Sequence, residues 1–249
     1  MAKVNEGPET SSADNARFAT TRWSLVLKAG GTSSKDAAPA LASLLESYWQ
    51  PLYAFVRRKG HDPEAAFDMT QEFLSRILER NLLAAADPHR GRFRTFLLTA
   101  LERFLINEWA SSRRIKRGGG RKWVSLELDD AEKSYRLDPA DNRTPERVYE
   151  RRWALVLLER ALERLDDEHR GSSRGALYAA VRHELSGKGT LVSNAEIAAS
   201  LGMTEGAVKT AVHRLRRRYG EILREEIAET VATPEDVEDE IRHLFEALG

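Results

Sequence analysis

The sequence predicts an all-α protein built as two helical domains on a flexible linker, with an amphipathic helix at the C-terminal end. Three observations carry this. Apolar residues recur at three- and four-residue spacing along most of the chain. Capping residues followed by proline or glutamate mark repeated helix starts. No convincing pair of alternating strands accompanies them. The length, 249 residues, suits one or two domains.

Residues 1–20 are polar and read as a disordered tail. The first domain is expected over 21–112. Leu41, Leu44, Leu45, Tyr48, Trp49, Leu52 and Phe55 repeat at helical spacing. Pro51 falls inside that pattern and should kink or break the helix, and Gly60 ends it. Asp62-Pro63 then supplies a cap and a first-turn proline. The helix they start has Phe67, Leu74, Ile77 and Leu78 as core and runs to about Leu83. After a loop at Asp87, Pro88 and Gly91, a third helix carries Phe93, Phe96, Leu97, Ala100, Leu101, Phe104 and Leu105.

The pattern stops at Arg113. Through Arg143 the chain has three consecutive glycines, mixed charge and Pro139. A structureless stretch that long argues for a boundary, so 113–143 is read as a linker, with a short extended piece at Trp123 to Leu128. The second domain, 144–225, opens on Thr144-Pro145-Glu146. The remainder, 226–249, is an acidic extension. Thr233-Pro234 starts its helix, and its apolar stripe is Val237, Ile241, Leu244, Phe245 and Leu248.

Charge divides what composition balances. Lys plus Arg and Asp plus Glu each number 39, so the formal net charge is zero. Yet Pro88 to Lys122 holds ten Arg or Lys against Glu102 and Glu108, and Thr204 to Arg224 holds six against Glu205 and Glu221. The last 25 residues hold nine acids and a single Arg242. Two separated basic segments suit a polyanion, because neutralising phosphates releases counterions.

Within the second domain, Ser193-Asn194-Ala195-Glu196 has the form of a capping box. A short helix follows to Leu201, Gly202 is placed to take φ > 0, and Thr204 caps the next helix. In that helix Val208, Ala211, Val212, Leu215 and Tyr219 point inward. Lys209, Thr210, His213, Arg214, Arg216 and Arg217 fall outward. A short helix, a glycine turn and a basic second helix define a helix–turn–helix, whose second helix enters the major groove.

These features resemble those of the extracytoplasmic-function (group IV) sigma factors of bacterial RNA polymerase, a branch of the sigma-70 family, from about Trp23 to Glu225. Val208-Lys209-Thr210 and the Arg-rich run after it are similar to the recognition helix of sigma region 4. Asp68-Met69-Thr70-Gln71-Glu72 is similar to the Asp-Leu-x-Gln-Glu of region 2. Gly91-Arg92-Phe93-Arg94-Thr95-Phe96-Leu97 is similar to that region's Gly-x-Phe-Arg-x-Trp-Leu.

The resemblance implies that Asp68, Met69, Gln71 and Glu72 bind the β′ clamp helices of core RNA polymerase, and that the β flap is a further contact. It implies that the −10 element is read and melted by the third helix and the loop before it, with Arg90, Arg92, Arg94, Arg103, Asn107, Arg113 and Arg114 as candidate DNA contacts. It implies that Thr204, Lys209, Thr210, His213, Arg214, Arg216 and Arg217 contact the −35 element of promoter DNA. A melting surface needs cations for the backbone and pockets for unstacked bases. Phe93 and Trp109 are aromatic candidates there, with core packing the stronger reading for Phe93.

The chain departs from the pattern in three places. The family's acidic lead-in is replaced by Ala65, Ala66 and Phe67, which weakens attraction to a basic clamp surface. Phosphorylation at Thr70 is a candidate way to add charge, set against a plain helix-surface threonine; an anti-sigma factor or a Ser/Thr kinase is a candidate regulator. Arg103 stands where many relatives have Asn, and Ala211 where they often have Arg. In the linker, Asp129, Asp130 and Glu132 read as solvated loop acids or as mimics of nucleic acid. The acidic extension is expected to dock on the second domain or a partner, or to shield the recognition helix.

Other classes fit less of the chain. A one-component helix–turn–helix regulator explains 193–219 but neither Gln71-Glu72 nor the first basic segment. The chain has no cysteine, excluding disulfides, thiolate metal sites and cysteine nucleophiles. Glu64, Asp68 and Glu72 are spaced like carboxylate metal ligands but lack a Glu-x-x-His companion. Neither a phosphate loop nor a nucleophile elbow is present. No catalytic residue, metal or cofactor is expected. No apolar run reaches the roughly 20 residues of a membrane span, and no signal-peptide core is seen, so a cytoplasmic protein is expected.

Overall fold

A computed structural model of the chain describes residues 37–79, 92–112, 128–137, 143–170, 175–182, 185, 193–231 and 233–249. Within these residues the chain is helical, with no strand. The helices are α1 (Ala37–Arg58), α2 (Pro63–Glu79), α3 (Phe93–Ser112), α4 (Leu128–Leu137), α5 (Pro145–His169), α6 (Gly175–Val181), α7 (Asn194–Leu201), α8 (Glu205–Ala228) and α9 (Pro234–Leu248). They form two compact units. One holds the described residues up to Val156 together with Ile227–Gly249; the other lies within Leu157–Glu226. The units therefore divide within α5 and again within α8, whereas the sequence places its boundary at 113–143.

In the first unit α1 is continuous through Pro51, so of the expected kink or break the break does not occur. Proline removes one backbone donor and costs about 3 kcal/mol in a helix interior. The turns that follow bury Leu52, Tyr53, Phe55 and Val56 almost completely. At roughly 1.5–3 kcal/mol for each large apolar side chain, that burial outweighs the missing bond. Asp62 caps α2, its Oδ1 accepting from the Ala65 N–H at 2.8 Å. Ala66, Phe73, Leu74 and Ile77 then turn inward. On α3 the buried stripe is Phe93, Leu97, Leu101 and Phe104, and Phe93 meets Tyr48 edge-on at 5.1 Å. Phe93 is thus core; the side chain of Trp109 lies outside the described residues.

Two segments differ from expectation. Leu128–Leu137, inside the supposed flexible linker, is a helix packed on α1 and α2. Its anchor is Glu132, 9 % exposed, so Glu132 is neither a solvated loop acid nor a mimic of nucleic acid. The extended piece expected up to Leu128 falls on residues outside those described, except Leu128 itself, which is helical. The acidic extension, expected to dock on the helix–turn–helix domain or a partner or to shield the recognition helix, belongs from Ile227 onward to the first unit, and its residues Pro234–Leu248 form α9. There Val237 and Leu244 are buried, and Arg151 of α5 donates to the Leu248 carbonyl at 2.5 Å.

The second unit is braced by ion pairs. Arg164 spans Glu226 and Glu225, each at 2.7 Å, and Arg160 meets Glu226 at 3.2 Å. Asp166 accepts from Tyr178 and Arg182, which holds its carboxyl below the ordinary range against the opposing pull of burial. These contacts tie α5 to α8 and to α6.

Candidate functional site

Local chemistry builds the helix–turn–helix as the sequence indicates. The Glu196 N–H donates to Ser193 Oγ at 3.2 Å, and the Ser193 N–H donates to Glu196 Oε2 at 2.8 Å, closing the capping box. Gly202 ends α7 at φ 64°, a conformation that costs a side-chain-bearing residue about 1–2 kcal/mol. The Met203 N–H returns to the Ala198 carbonyl at 2.9 Å. Thr204 Oγ1 then accepts from the Ala207 N–H at 3.2 Å, starting α8.

On α8, Val208, Val212, Leu215, Ile222 and Leu223 are buried. Thr204, Lys209, Thr210, His213, Arg214, Arg216 and Arg217 are all exposed. The seven residues singled out for this helix therefore share its solvent side. Lys209 pairs with Glu205 at 2.7 Å and Arg217 with Glu221 at 3.0 Å. Exposed pairs of this kind are worth at most about 1 kcal/mol, so both cations can exchange a carboxylate for a phosphate. Arg218 differs from its neighbours. It reaches Glu168 of α5 at 2.5 Å, a pairing that raises the guanidinium pKa and makes Arg218 a brace for α8. The Thr210 hydroxyl donates to the Gly206 carbonyl at 2.9 Å.

On α2, Asp68 is exposed, while Met69, Gln71 and Glu72 are half-buried. Glu72 accepts from Arg76 at 2.8 Å, and Arg76 also meets Glu108 of α3 at 2.8 Å, with its guanidinium 4.8 Å from the Phe104 ring. Gln71 Nε2 is buried and finds no hydrogen-bond partner among the described residues. Beside this face, Lys59, His61, Met69, Leu105 and Ile106 line an open cleft, with Ile106 66 % exposed.

Thr70 is not a helix-surface residue. It is 1 % exposed, and its hydroxyl donates to the Ala66 carbonyl at 2.7 Å. A kinase has no access to it in this fold, and a phosphoryl group there would bury uncompensated charge. Thr70 is therefore no phosphosite in this fold.

The residues expected at the −10 element separate. Arg103 and Asn107 are exposed on α3, and Arg92 is half-buried at its start. Arg94 is 4 % exposed. Its Nε lies 3.0 Å from Glu240 Oε1 and 3.1 Å from Oε2, and it also pairs with Glu150. Its guanidinium covers the Trp153 ring at 5.0 Å, and its carbonyl accepts from the buried Tyr149 hydroxyl at 2.9 Å. Arg94 is thus an internal hub in this conformation, not an outward contact. Arg90, Arg113 and Arg114 lie outside the described residues.

Sequence reasoning missed Glu240 and Glu150. The signal for Glu240 was present, since it sits three residues after Val237 and four before Leu244, on the buried side of its helix.

A capped helix–turn–helix with a basic outer face has the form of a DNA-binding module. The chain belongs to the ECF sigma factor family, whose model matches residues 33–225; sigma factors direct RNA polymerase to promoters, binding the core enzyme and promoter DNA. Searches of the curated proteins and of the solved structures returned no match. Among the described residues no helix is long and apolar enough to cross a membrane.

Proposed function

We propose that the chain reads a promoter at two places. The outer face of α8 lies in the major groove of the −35 element, where Arg and Lys reach guanine edges and phosphates. Lys209, His213, Arg214, Arg216 and Arg217 supply the contacts, with Thr204 and Thr210 at the start of the helix. In the first unit, Arg92, Arg103 and Asn107 of the α3 segment, with Arg90, Arg113 and Arg114 on either side of it in sequence, engage the −10 element. Asp68, Met69, Gln71 and Glu72 of α2 meet the β′ clamp helices of core polymerase, and the second unit meets the β flap.

The observation that supports this best is the shared exposure of the seven predicted residues on one helix whose start is fixed by Gly202 and Thr204. A one-component regulator would use the same helix, but it leaves the α2 motif and the family match unexplained. Run-off transcription with core polymerase tests the reading. Alanine at Arg214 and Arg217 should abolish initiation that depends on the −35 element. Initiation unchanged by those substitutions refutes the assignment of α8.

A further inference from the structure

We propose that α9 is an intramolecular competitor for nucleic acid at the start of α3. The inference rests on the reading that the α3 segment handles the −10 element, and it adds regulation to that same surface.

The contact is specific. Glu240, 1 % exposed, holds Arg94 through both carboxylate oxygens, at 3.0 and 3.1 Å. Its Oε2 also lies 3.5 Å from Arg92, and Asp239 reaches the other arm of Arg92 at 3.9 Å. One turn further along α9, His243 meets Glu150 at 3.0 Å, the second carboxylate on Arg94. Val237 and Leu244 seat the helix on either side of Glu240.

A guanidinium presents the same fork of donors to a carboxylate as to a phosphate. With the Glu240 oxygens at hydrogen-bond distance, a DNA phosphate cannot occupy the same place on Arg92 and Arg94. Strand binding there and α9 docking are mutually exclusive. Linkage makes the exclusion reciprocal: strand binding weakens α9 docking by the factor by which docking weakens strand binding, so loosening the α9 contact strengthens strand binding by up to the factor lost. The ionic part of the exchange is balanced, because a buried ion pair gains little over its desolvation and a phosphate replaces the carboxylate it displaces; the burial of Val237 and Leu244 sets the remaining cost of release. Release of α9 uncovers Arg92 and returns Arg94 to the set of cations available to a strand.

Two measurements on the full chain test this with a mixed-sequence single-stranded oligonucleotide as probe. In the first, wild-type protein is followed by amide hydrogen exchange across Pro234–Leu248 with and without the oligonucleotide. Binding should accelerate exchange in α9; exchange that is unchanged or slowed overturns the proposal. In the second, Asp239→Asn and the double variant Asp239→Asn/Glu240→Gln are titrated with the oligonucleotide over a range of salt. The double variant should bind at least about 5-fold more tightly. Its salt dependence should steepen by about 0.7 in log–log slope for each cation released to a phosphate. Asp239→Asn lies at the rim of the contact, 49 % exposed, so it leaves the core intact and should give part of the gain even if the double variant unfolds. Equal affinities and slopes for wild type and Asp239→Asn overturn the proposal. If no form binds a single strand, with or without core polymerase, the −10 reading fails and takes this inference with it. If wild type binds and α9 does not respond, only this inference fails.

Discussion

Glu132 grips Arg57 in a two-pronged pair, Oε2 to Nε and Oε1 to the terminal nitrogen, both at 3.0 Å. The Tyr53 hydroxyl adds a third donor at 2.6 Å. These bonds, led by Arg57, hold the Glu132 carboxyl at a pKa of about 2. They also turn part of an apparent tether into a helix fastened to the first unit.

The sign of the pH dependence follows from that pKa. Because the folded value lies below the ordinary one, this pair stabilises the docked α4 fully above about pH 4.5. The contribution falls as acid protonates Glu132 and is gone below about pH 2. The protection of amides 128–137, measured against their intrinsic exchange rates at each pH, should fall over that window. Glu132→Gln should abolish the dependence and loosen α4 at neutral pH by about 1–3 kcal/mol, the worth of hydrogen bonds to a charged group.

Thr70→Ala should lower stability by about 1 kcal/mol, through loss of the bond to the Ala66 carbonyl and a buried methyl group. Thr70→Glu should cost at least about 3 kcal/mol, because it forces an uncompensated charge into the core. Denaturant melts of the two variants check this. A Thr70→Glu protein as stable as wild type would place Thr70 on the surface after all.

Gly202→Ala should destabilise the second unit by about 1–2 kcal/mol. The cost is backbone strain alone, since a methyl group there meets nothing within 4 Å. Gly202→Asn should cost less, because asparagine tolerates the left-handed region. Thermal melts that rank the two the other way would contradict the turn geometry.

Lys209→Ala and Arg217→Ala should leave the melting temperature nearly unchanged, as both side chains are exposed. Each should reduce the salt dependence of −35 binding by about 1 if it neutralises a phosphate. Arg218→Ala should behave differently, weakening stability first, because its partner is Glu168 rather than DNA. Comparing melts with salt titrations separates the two roles.

Local chemistry made much of this molecule legible. Asp62-Pro63, Ser193 with Glu196, Gly202 and Thr204 act within four residues of themselves, so their turns and caps can be read one window at a time. The outward set on α8 follows from period alone. Partners far apart in sequence were not legible. Glu132 finds Tyr53 and Arg57 across 79 and 75 residues, and Glu240 finds Arg94 across 146. A helical pattern of only ten residues, LDDAEKSYRL, is weak until Glu132 has its partners. Pro51 misled because its local cost is certain while the burial that offsets it depends on the whole unit. Thr70 misled because its place on the buried side of α2 shows only against Ala66, Phe73 and Ile77, which share that side.

The most direct test of the account is start-site mapping of transcripts made by core polymerase with and without the full-length chain on a genomic promoter library. A defined set of start sites should appear only with the chain and be lost when Arg214 and Arg217 are both changed to alanine. Initiation no more selective with the chain than with core polymerase alone would contradict it.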